Sequence, residues 1–214
     1  SRPLADYGAQ DEVDIILANP PFGGEVSDNN EKNFPASLRT TESADLFLIL
    51  IMKLLKKNGR AAIVLPDSSL SGLGVKTRIR EKLLNEFNLH TIIRLPDSVF
   101  KPYAGVPTNL LFLEKGKKTK EIWFYEHKLP DGYKAYSKTK PIKYEEFNPL
   151  KEWWNNRKEN KFAWKINISE IKSNDYVLDC KNPTQPKPEK IYTAEELTKQ
   201  IYDSLMESQE IIKK

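Results

Sequence analysis

Residues 13–24 read VDIILANPPFGG, an apolar run that ends at two consecutive prolines and two glycines. A short run of this composition is typical of a strand in a parallel sheet that is buried on both faces. Neither Pro20 nor Pro21 can donate a hydrogen bond to a sheet ladder, so the strand must end near Asn19. The stretch therefore predicts a buried strand over residues 13–18, with a rigid turn at its carboxyl end.

Alternating strands and helices follow this first strand. The predicted elements are a helix that starts at the N-cap residue Ser43 and ends before Gly59, a strand over 60–66, a helix between Gly74 and Asn88, and strands over 90–96, 108–113 and 122–125. Such alternation implies right-handed crossovers and a parallel sheet covered by helices. Residues 97–107 are too few for a helical crossover, so the strand over 108–113 should return antiparallel. The fold class is therefore α/β.

The character of the chain changes twice beyond this sheet. Residues 1–147 are assigned to the α/β domain and residues 148–182 to an extension rich in tryptophan. Residues 183–214 form a proline-rich linker and a terminal amphipathic helix, whose capping box is Thr193 with Glu196. Its apolar stripe consists of Leu197, Ile201 and Leu205.

Composition narrows the function classes only broadly. The 214 residues carry a formal net charge of +4, which suits a polyanionic partner without requiring one. The single cysteine excludes an internal disulfide and fits a reducing cytoplasm, and two scattered histidines leave no zinc site of the usual kind. No apolar run approaches the roughly 20 residues of a membrane span. We therefore expect a cytoplasmic protein with no metal and no membrane association.

The turn after the first strand suits one particular chemistry. The exocyclic amine of adenine is a poor nucleophile, and two acceptors on its protons, the Asn19 side chain and the Pro20 carbonyl, would localise its lone pair. Pro20 and Pro21 would hold these acceptors rigid, and Phe22 would offer an aromatic face to a base taken out of its stack. The alternative is structural: Asn-Pro-Pro ends a strand and Phe22 fills the core.

The sequence of this segment also resembles a known family. Residues 14–24 (DIILANPPFGG) are similar to the catalytic segment of the modification (M) subunit of type I restriction-modification systems, which are N-6 adenine-specific DNA methyltransferases. The resemblance continues through residues 42–47 (ESADLF), 59–66 (GRAAIVLP), 79–84 (IREKLL), 99–105 (VFKPYAG) and 108–112 (TNLLF), and covers roughly residues 10–182. It implies the C-terminal half of a Rossmann-like methyltransferase sheet: parallel strands plus one antiparallel strand, helices on both faces, and a helical tail.

The resemblance also implies a site, a cofactor and partners. The implied catalytic residues are Asn19, Pro20, Pro21, Phe22 and Phe100, with Tyr103 as a second choice for the last aromatic. Asn19 and Pro20 would also border the cofactor, S-adenosylmethionine. The implied partners are DNA, a specificity (S) subunit and a restriction (R) subunit. The DNA sequence recognised would be set by the S subunit.

One expected feature of these methyltransferases is missing from the sequence. They bind the methyl donor through a glycine-rich loop after the first strand, whereas Gly72 and Gly74 form only a G-x-G without a third glycine. The chain also starts without methionine. We therefore expect a fragment that exposes a sheet edge prone to self-association, and that alone neither binds the donor tightly nor methylates DNA.

Several features allow more than one interpretation. The chain could be a non-catalytic assembly module that binds a specificity subunit through its tail, or a methyltransferase of a protein glutamine amide, which also uses Asn-Pro-Pro motifs. The lysines of residues 115–120 could contact phosphate or form a solvated turn, and the same applies to the basic side chains of residues 76–82. Trp153 and Trp154 could pack on the sheet or dock a partner.

Overall fold

The fold is a six-stranded sheet with helices on both faces. The computed structural model describes residues 2–24, 30–184, 193, 196–199, 201, 202, 204 and 206. They fall into two compact units, Ser1–Pro183 and Thr184–Lys214. The first unit contains β1 (Val13–Ala18), α1 (Ser43–Leu54), β2 (Leu55–Pro66), α2 (Asp67–Ser71), α3 (Val75–Glu86), β3 (Phe87–Arg94), β4 (Thr108–Lys115), β5 (Glu121–Glu126), α4 (Asn148–Asn155), β6 (Ala163–Asn167) and α5 (Ile168–Ser173). Short 3-10 helices lie at Leu4–Asp6, Ala9–Asp11, Asn30–Asn33, Ala36–Leu38 and Tyr144–Phe147.

The sheet is mixed and follows the order β1-β2-β4-β3-β5-β6. β1 pairs parallel with β2 and β3 pairs parallel with β5, while β4 runs antiparallel between β2 and β3. The α/β class and the antiparallel return of residues 108–113 are therefore confirmed. β6 adds a second antiparallel strand beside β5, in the segment interpreted only as a tryptophan-rich extension. Trp164 and Ile166 alternate with the exposed Lys165 and Asn167, a pattern of a half-buried strand that was not recognised among the surrounding charges.

The junction between α1 and β2 differs from the prediction. α1 ends at Leu54 and β2 begins at once at Leu55, whereas the sequence favoured a helix that reached Gly59. Leu55 is fully buried and pairs with Val13, so tertiary packing overrides the helical tendency of the lysines that follow. A Cβ at Gly59 would lie 2.9 Å from the Asp14 carbonyl oxygen, which explains the glycine as a close approach of two strands.

Two hydrophobic clusters sandwich the sheet. The larger contains buried side chains of α1, α3 and α5 together with alternate residues of β2, β3, β4 and β5. The smaller lies on the opposite face beneath α4, where Trp153 contacts the rings of Trp123 and Tyr125 at centroid distances of 5.7 and 5.0 Å. Trp154 meets Phe112 at 4.8 Å. Both tryptophans therefore pack on the sheet, as one of the two interpretations held.

β1 is an edge strand rather than the doubly buried strand that its composition predicted. The side chains of Ile15 and Leu17 are 59% and 80% exposed. Leu17 pairs with Ala62 of β2, and no other described strand lies beside β1. The apolar composition of β1 is therefore not explained by burial within the described residues.

Two basic residues of α3 are buried and bind groups inside the protein, so they are not available to a phosphate. Arg80 is 1% exposed and donates to the carbonyl oxygens of Ser69, Gly72 and Tyr176 at 3.1, 2.7 and 2.6 Å. Lys76 is 9% exposed and is paired with acidic side chains described below. Buried cations with these partners cannot also contact DNA, so the phosphate interpretation is wrong for Lys76 and Arg80.

The second unit retains the predicted capping box. The Thr193 amide donates to the Glu196 carboxylate at 2.8 Å, and the Glu196 amide donates to the Thr193 hydroxyl at 3.2 Å. Helical residues follow at 196–199, 201, 202, 204 and 206. Leu205 and the prolines of the linker at 186 and 188 lie outside the described residues. None of the helices in the described part of the chain combines the length and apolar character that a membrane crossing requires.

Candidate active site at the carboxyl edge of the sheet

The predicted site residues lie at one edge of the sheet. β1, β2, β3 and β5 run parallel, so Asn19, Asp67, Leu95 and His127, which follow them, lie along the same edge. β4 begins at this edge with Thr108, so the loop of residues 95–107 is attached there at both ends. Carboxyl ends of strands are where open α/β sheets bind ligands.

The two predicted acceptors are available to a ligand. The Asn19 side chain is exposed and makes no hydrogen bond to any residue that the structure describes. Pro20 is buried, but no described amide donates to its carbonyl oxygen. The segment from Asn19 to Phe22 contains no titratable side chain. It can therefore orient an amine but cannot take up its proton.

The loop that carries these acceptors is held by two hydrogen bonds from Ser43. The hydroxyl of Ser43, at the first turn of α1, donates to the Pro21 carbonyl oxygen at 3.2 Å. The Ser43 amide donates to the Gly24 carbonyl oxygen at 3.1 Å. Between them Gly23 has φ 68°, a left-handed conformation that favours glycine. Ser43 is therefore a loop anchor rather than the predicted N-cap, and Glu42 takes the N-cap position without a side-chain cap.

A buried ionic cluster supports this anchor. Lys76 Nζ lies 2.6 Å from Glu42 Oε2 and 3.3 Å from Asp45 Oδ2, and donates to the Ser68 carbonyl oxygen at 3.0 Å. Asp45 is 1% exposed. Removing Lys76 would leave the buried Asp45 carboxylate unpaired, so this ion pair fixes the first turn of α1 against α2 and α3.

The two predicted aromatics touch each other across the edge. The rings of Phe22 and Phe100 have centroids 5.0 Å apart and planes inclined by 71°, an edge-to-face contact. A base stacked between two rings needs about 7 Å, since each stacked contact takes about 3.5 Å. A base must therefore separate this pair. Tyr103, the second choice, is 87% exposed.

The loop that carries Phe100 is closed on itself and tied down. The Phe100 carbonyl oxygen accepts the amides of residues 103 and 104 at 2.8 and 2.9 Å. Ser98 Oγ accepts the Tyr136 amide at 2.8 Å. At the end of the loop, Asn109 Nδ2 donates to Asp67 Oδ1 at 2.6 Å. These contacts position Phe100 opposite Phe22.

Sequence analysis missed three positioning residues of this site. Ser43 was interpreted as a helix cap, and no role was assigned to Asp67 or Asn109. Asn109 is completely buried near the start of β4, and the next four residues of that strand are apolar. A polar residue in such a run was the available signal, because buried amides need partners.

The described residues do not form a complete pocket for a methyl donor. β1 is flanked by β2 on one side only, and Leu17 beside Asn19 is largely exposed. Asn19 and Pro20 could line one wall, but no described residue closes the other. Nor does the described part of the chain contain three or more His, Cys, Asp or Glu side chains grouped to hold a metal ion. The geometry therefore supports binding of the acceptor base only.

Comparisons with known proteins agree in family and fold. The family model described as N-6 DNA Methylase matches residues 2–191. The chain is 54% identical over 192 residues to the methylase subunit of the type I restriction enzyme EcoEI of Escherichia coli, covering 86% of this chain and 39% of the relative. It is 35% identical over 147 residues to the EcoKI methylase subunit of Escherichia coli K12, covering 64% of this chain and 26% of that relative.

Solved structures give the same result. A modification subunit of a proposed type I restriction enzyme from Vibrio vulnificus YJ016 superposes with a TM-score of 0.76 and 47% identity, covering 79% of this chain and 37% of that one. A chain from a study of assembly and conformational transition of the type I R-M system gives a TM-score of 0.80 and 31% identity, covering 99% and 46%. The chain thus spans less than half the length of these relatives.

Proposed function

This chain belongs to the N-6 DNA methylase family, and we propose that it carries the target-adenine site of a type I modification methyltransferase. The observation that supports this most directly is the pair of free acceptors at Asn19 and Pro20, at the end of β1 and next to the Phe22–Phe100 contact. In this proposal the Asn19 side chain and the Pro20 carbonyl accept the two amino protons of an adenine taken out of its stack.

The chemistry of the proposed grip is orientation rather than proton transfer. Two fixed acceptors hold the amine pyramidal and direct its lone pair away from the ring, so that it can attack an electrophilic methyl group. Pro21 restricts the turn, and Phe22 and Phe100 separate to receive the base between them. The proposed methyl donor is S-adenosylmethionine, which would supply the methyl group by breaking its sulfur–carbon bond and would leave as a neutral thioether. The proton that the methylated nitrogen loses would pass to water, because the segment from Asn19 to Phe22 has no group to accept it.

The proposed partners follow from the relatives. The curated relatives are methylase subunits of type I restriction enzymes, and one structural match comes from a study of type I assembly. We extend this to DNA, a specificity subunit and a restriction subunit as partners, and to a cytoplasmic location. The division into residues 1–147, 148–182 and 183–214 is part of the same proposal. Self-association through the exposed edge of β1 would compete with this assembly.

Binding of single-stranded oligonucleotides tests the grip directly. The probes are oligothymidylates with one central adenine or one central purine, a base that lacks only the exocyclic amine. We expect the full chain to prefer adenine about 30-fold, since two hydrogen bonds at about 1 kcal/mol each contribute about 2 kcal/mol. Asn19→Ala should lower the preference about fivefold and leave the contribution of the Pro20 carbonyl, whereas Asn19→Asp retains acceptor oxygens and should keep the preference. Equal affinity for the two probes in the unsubstituted chain would reject the proposed grip.

A second candidate role concerns the C-terminal unit. The side chains of Leu197 and Ile201, which lie one turn apart on one helical face, are 46% and 61% exposed and suit a helical partner. We propose that this unit binds the specificity subunit. Pull-down with a specificity subunit, with and without residues 191–214, tests it. Binding that survives the truncation would reject the role.

A further inference from the structure

A basic cavity opens at the other end of the strands, along the amino edge of the sheet. It has a volume of about 680 Å³ and is lined mainly by His90 of β3, Trp123 of β5, Arg157 after α4, and the lysines at 117, 118 and 120. These residues lie near the starts of β3 and β5, whereas the proposed adenine grip follows the end of β1. The basic cavity is therefore not part of the candidate active site.

The positive charge of the basic cavity is mostly unpaired. Lys117 is bound to Glu114 at 3.2 Å, and Glu121, the one acidic lining residue, is bound to Lys165 at 3.0 Å. Lys118, Lys120 and Arg157 form no ion pair with any residue that the structure describes. Three cations thus converge on one cavity without an ion-pair partner among the described residues. Such a cluster attracts an anionic ligand.

The turn of residues 117–120, here called the lysine turn, is rigid, which argues against an ordinary solvated turn. Thr119 is 4% exposed, and its hydroxyl donates to the Phe87 carbonyl oxygen at 2.7 Å and accepts the Leu89 amide at 2.9 Å. Its own amide donates to the Leu84 carbonyl oxygen at 3.0 Å. Lys118 and Lys120, on either side of this anchor, are both exposed. The backbone positions of both cations are therefore fixed before any ligand binds.

Arg157 is also fixed in advance. Its guanidinium carbon lies 4.4 Å from the ring centre of Trp154 and 5.5 Å from that of Trp153. Stacking on an aromatic face leaves the N–H edge of a guanidinium free to donate, and that planar edge matches the oxygens of a phosphate. Burial and the nearby Arg157 lower the pKa of His90 to about 4, so its imidazole is neutral at pH 7.

We propose that the basic cavity binds backbone phosphates of a nucleic acid, at a site separate from the adenine grip. This inference rests on the proposed function for its choice of ligand. In the cavity, Arg157 lies on Trp154, and Trp123 is partly exposed. Grooves that bind nucleic acids combine cations with aromatic faces in this way. A site for an acidic protein surface requires no aromatic faces.

The distance between the two sites sets the length of nucleic acid that can occupy both. β3 has 8 residues, so the two edges of the sheet are about 26 Å apart at roughly 3.3 Å per residue. The cavity at β3 also lies three strands away from β1, about 14 Å at roughly 4.8 Å per strand, so the two sites are about 30 Å apart. A strand stacked as in a duplex, at about 3.4 Å per nucleotide, needs about nine nucleotides to occupy both sites at once, whereas a shorter strand can occupy one site at a time.

The salt dependence of binding tests the inference. The dissociation constant of the full chain for a 20-nucleotide single strand is measured by fluorescence anisotropy over a range of NaCl concentrations. The Lys118→Gln/Lys120→Gln variant should weaken binding more than tenfold near 0.1 M salt and lower the slope by about 1.4, two phosphates at about 0.7 each. The Lys172→Gln/Lys181→Gln variant removes the same charge from exposed positions outside the cavity. An equal loss in that control would overturn the proposal.

Two further measurements separate the possible failures. The Lys118→Gln/Lys120→Gln variant should keep the preference for adenine over purine, and Asn19→Ala should keep the salt slope. If the unsubstituted chain shows no preference for adenine while the salt slope still depends on Lys118 and Lys120, the proposed function is rejected and the cavity proposal stands. Competition by polyglutamate as strong as by oligothymidylate of equal charge would overturn the cavity proposal in favour of an acidic protein.

Discussion

The two edges of the sheet are equipped for recognition in opposite ways. At the carboxyl edge the segment from Asn19 to Phe22 has no charge, and its acceptors are held by proline rings and by Ser43. At the amino edge Lys118 and Lys120 present charge, and their turn is held by the buried Thr119. The first arrangement distinguishes the shape and hydrogen-bonding pattern of one base. The second recognises any phosphate and should be insensitive to sequence.

Each edge also contains one of the two histidines of the chain. His90 lies in the basic cavity, whereas His127 follows β5 at the carboxyl edge, where its ring stacks on Phe147 at 4.8 Å. Burial lowers the pKa of both. The difference between the two edges can therefore be tested by substitution and by pH.

The largest effect is expected from Asn19→Ala in the methyl-transfer reaction. Loss of one pre-organised hydrogen-bonding group in an active site lowers the rate by about 100- to 1000-fold. The measurement is transfer of a radiolabelled methyl group to DNA by the assembled methyltransferase that contains this chain. Affinity for DNA should change less than threefold, because the amino-edge cations are untouched. A rate within tenfold of the unsubstituted enzyme would contradict the assigned role of Asn19.

The next effect is a loss of stability at acidic pH that originates at the amino edge. The pKa of His90 falls from 6.5 to about 4 on folding, so the unfolded chain binds more protons once the pH drops below 6.5. Stability should therefore decline between about pH 6.5 and pH 4, by on the order of 2 kcal/mol at pH 4.5. Urea unfolding of the chain at several pH values measures this decline.

Two variants assign the pH effect to an edge. His90→Asn should remove most of the decline, and His127→Asn should remove a smaller part, because burial shifts the pKa of His127 less than that of His90. A bound oligonucleotide should make the loss of stability at acidic pH smaller, since phosphate near His90 favours the protonated form of the imidazole. A decline that is unchanged in both variants would show that carboxylates dominate the acid response.

The sequence predicts the two edges unequally. The strand over residues 13–18 and its Asn-Pro-Pro turn are local features, and local chemistry was sufficient to propose them. The contact of Phe22 with Phe100 was anticipated only through the family resemblance, and its role stays a proposal. The basic cavity draws on β3, β5, the lysine turn and Arg157 after α4, which are far apart in the sequence. Features built from distant segments could not be deduced from periodicity.

A smaller effect is expected from the aromatic pair at the carboxyl edge. In a double-mutant cycle of Phe22→Leu and Phe100→Leu, the coupling free energy of unfolding should be about 0.5 to 1.5 kcal/mol, the usual value of an edge-to-face pair. A saturating adenine-containing oligonucleotide should remove the coupling, because the base separates the rings. Coupling that persists unchanged with the oligonucleotide would show that the base does not enter between them.

The smallest effect is expected from Ser43→Ala, which removes the hydrogen bond to the Pro21 carbonyl oxygen and leaves the amide bond to Gly24. A hydrogen bond of this kind contributes about 0.5 to 1.5 kcal/mol to the stability of the loop. Since Ser43 does not contact the base, only part of this affects recognition, and the preference for adenine over purine should fall about twofold. Ser71→Ala is the matched control, because its hydroxyl donates to the Asp67 carbonyl oxygen at 3.0 Å within α2. If both variants lower the preference equally, general loosening explains the loss. If only Ser43→Ala lowers the preference and Ser43→Thr restores it, the carboxyl edge recognises its base through the rigidity of the loop. The salt slope, which the amino edge sets, should stay the same in all of these variants.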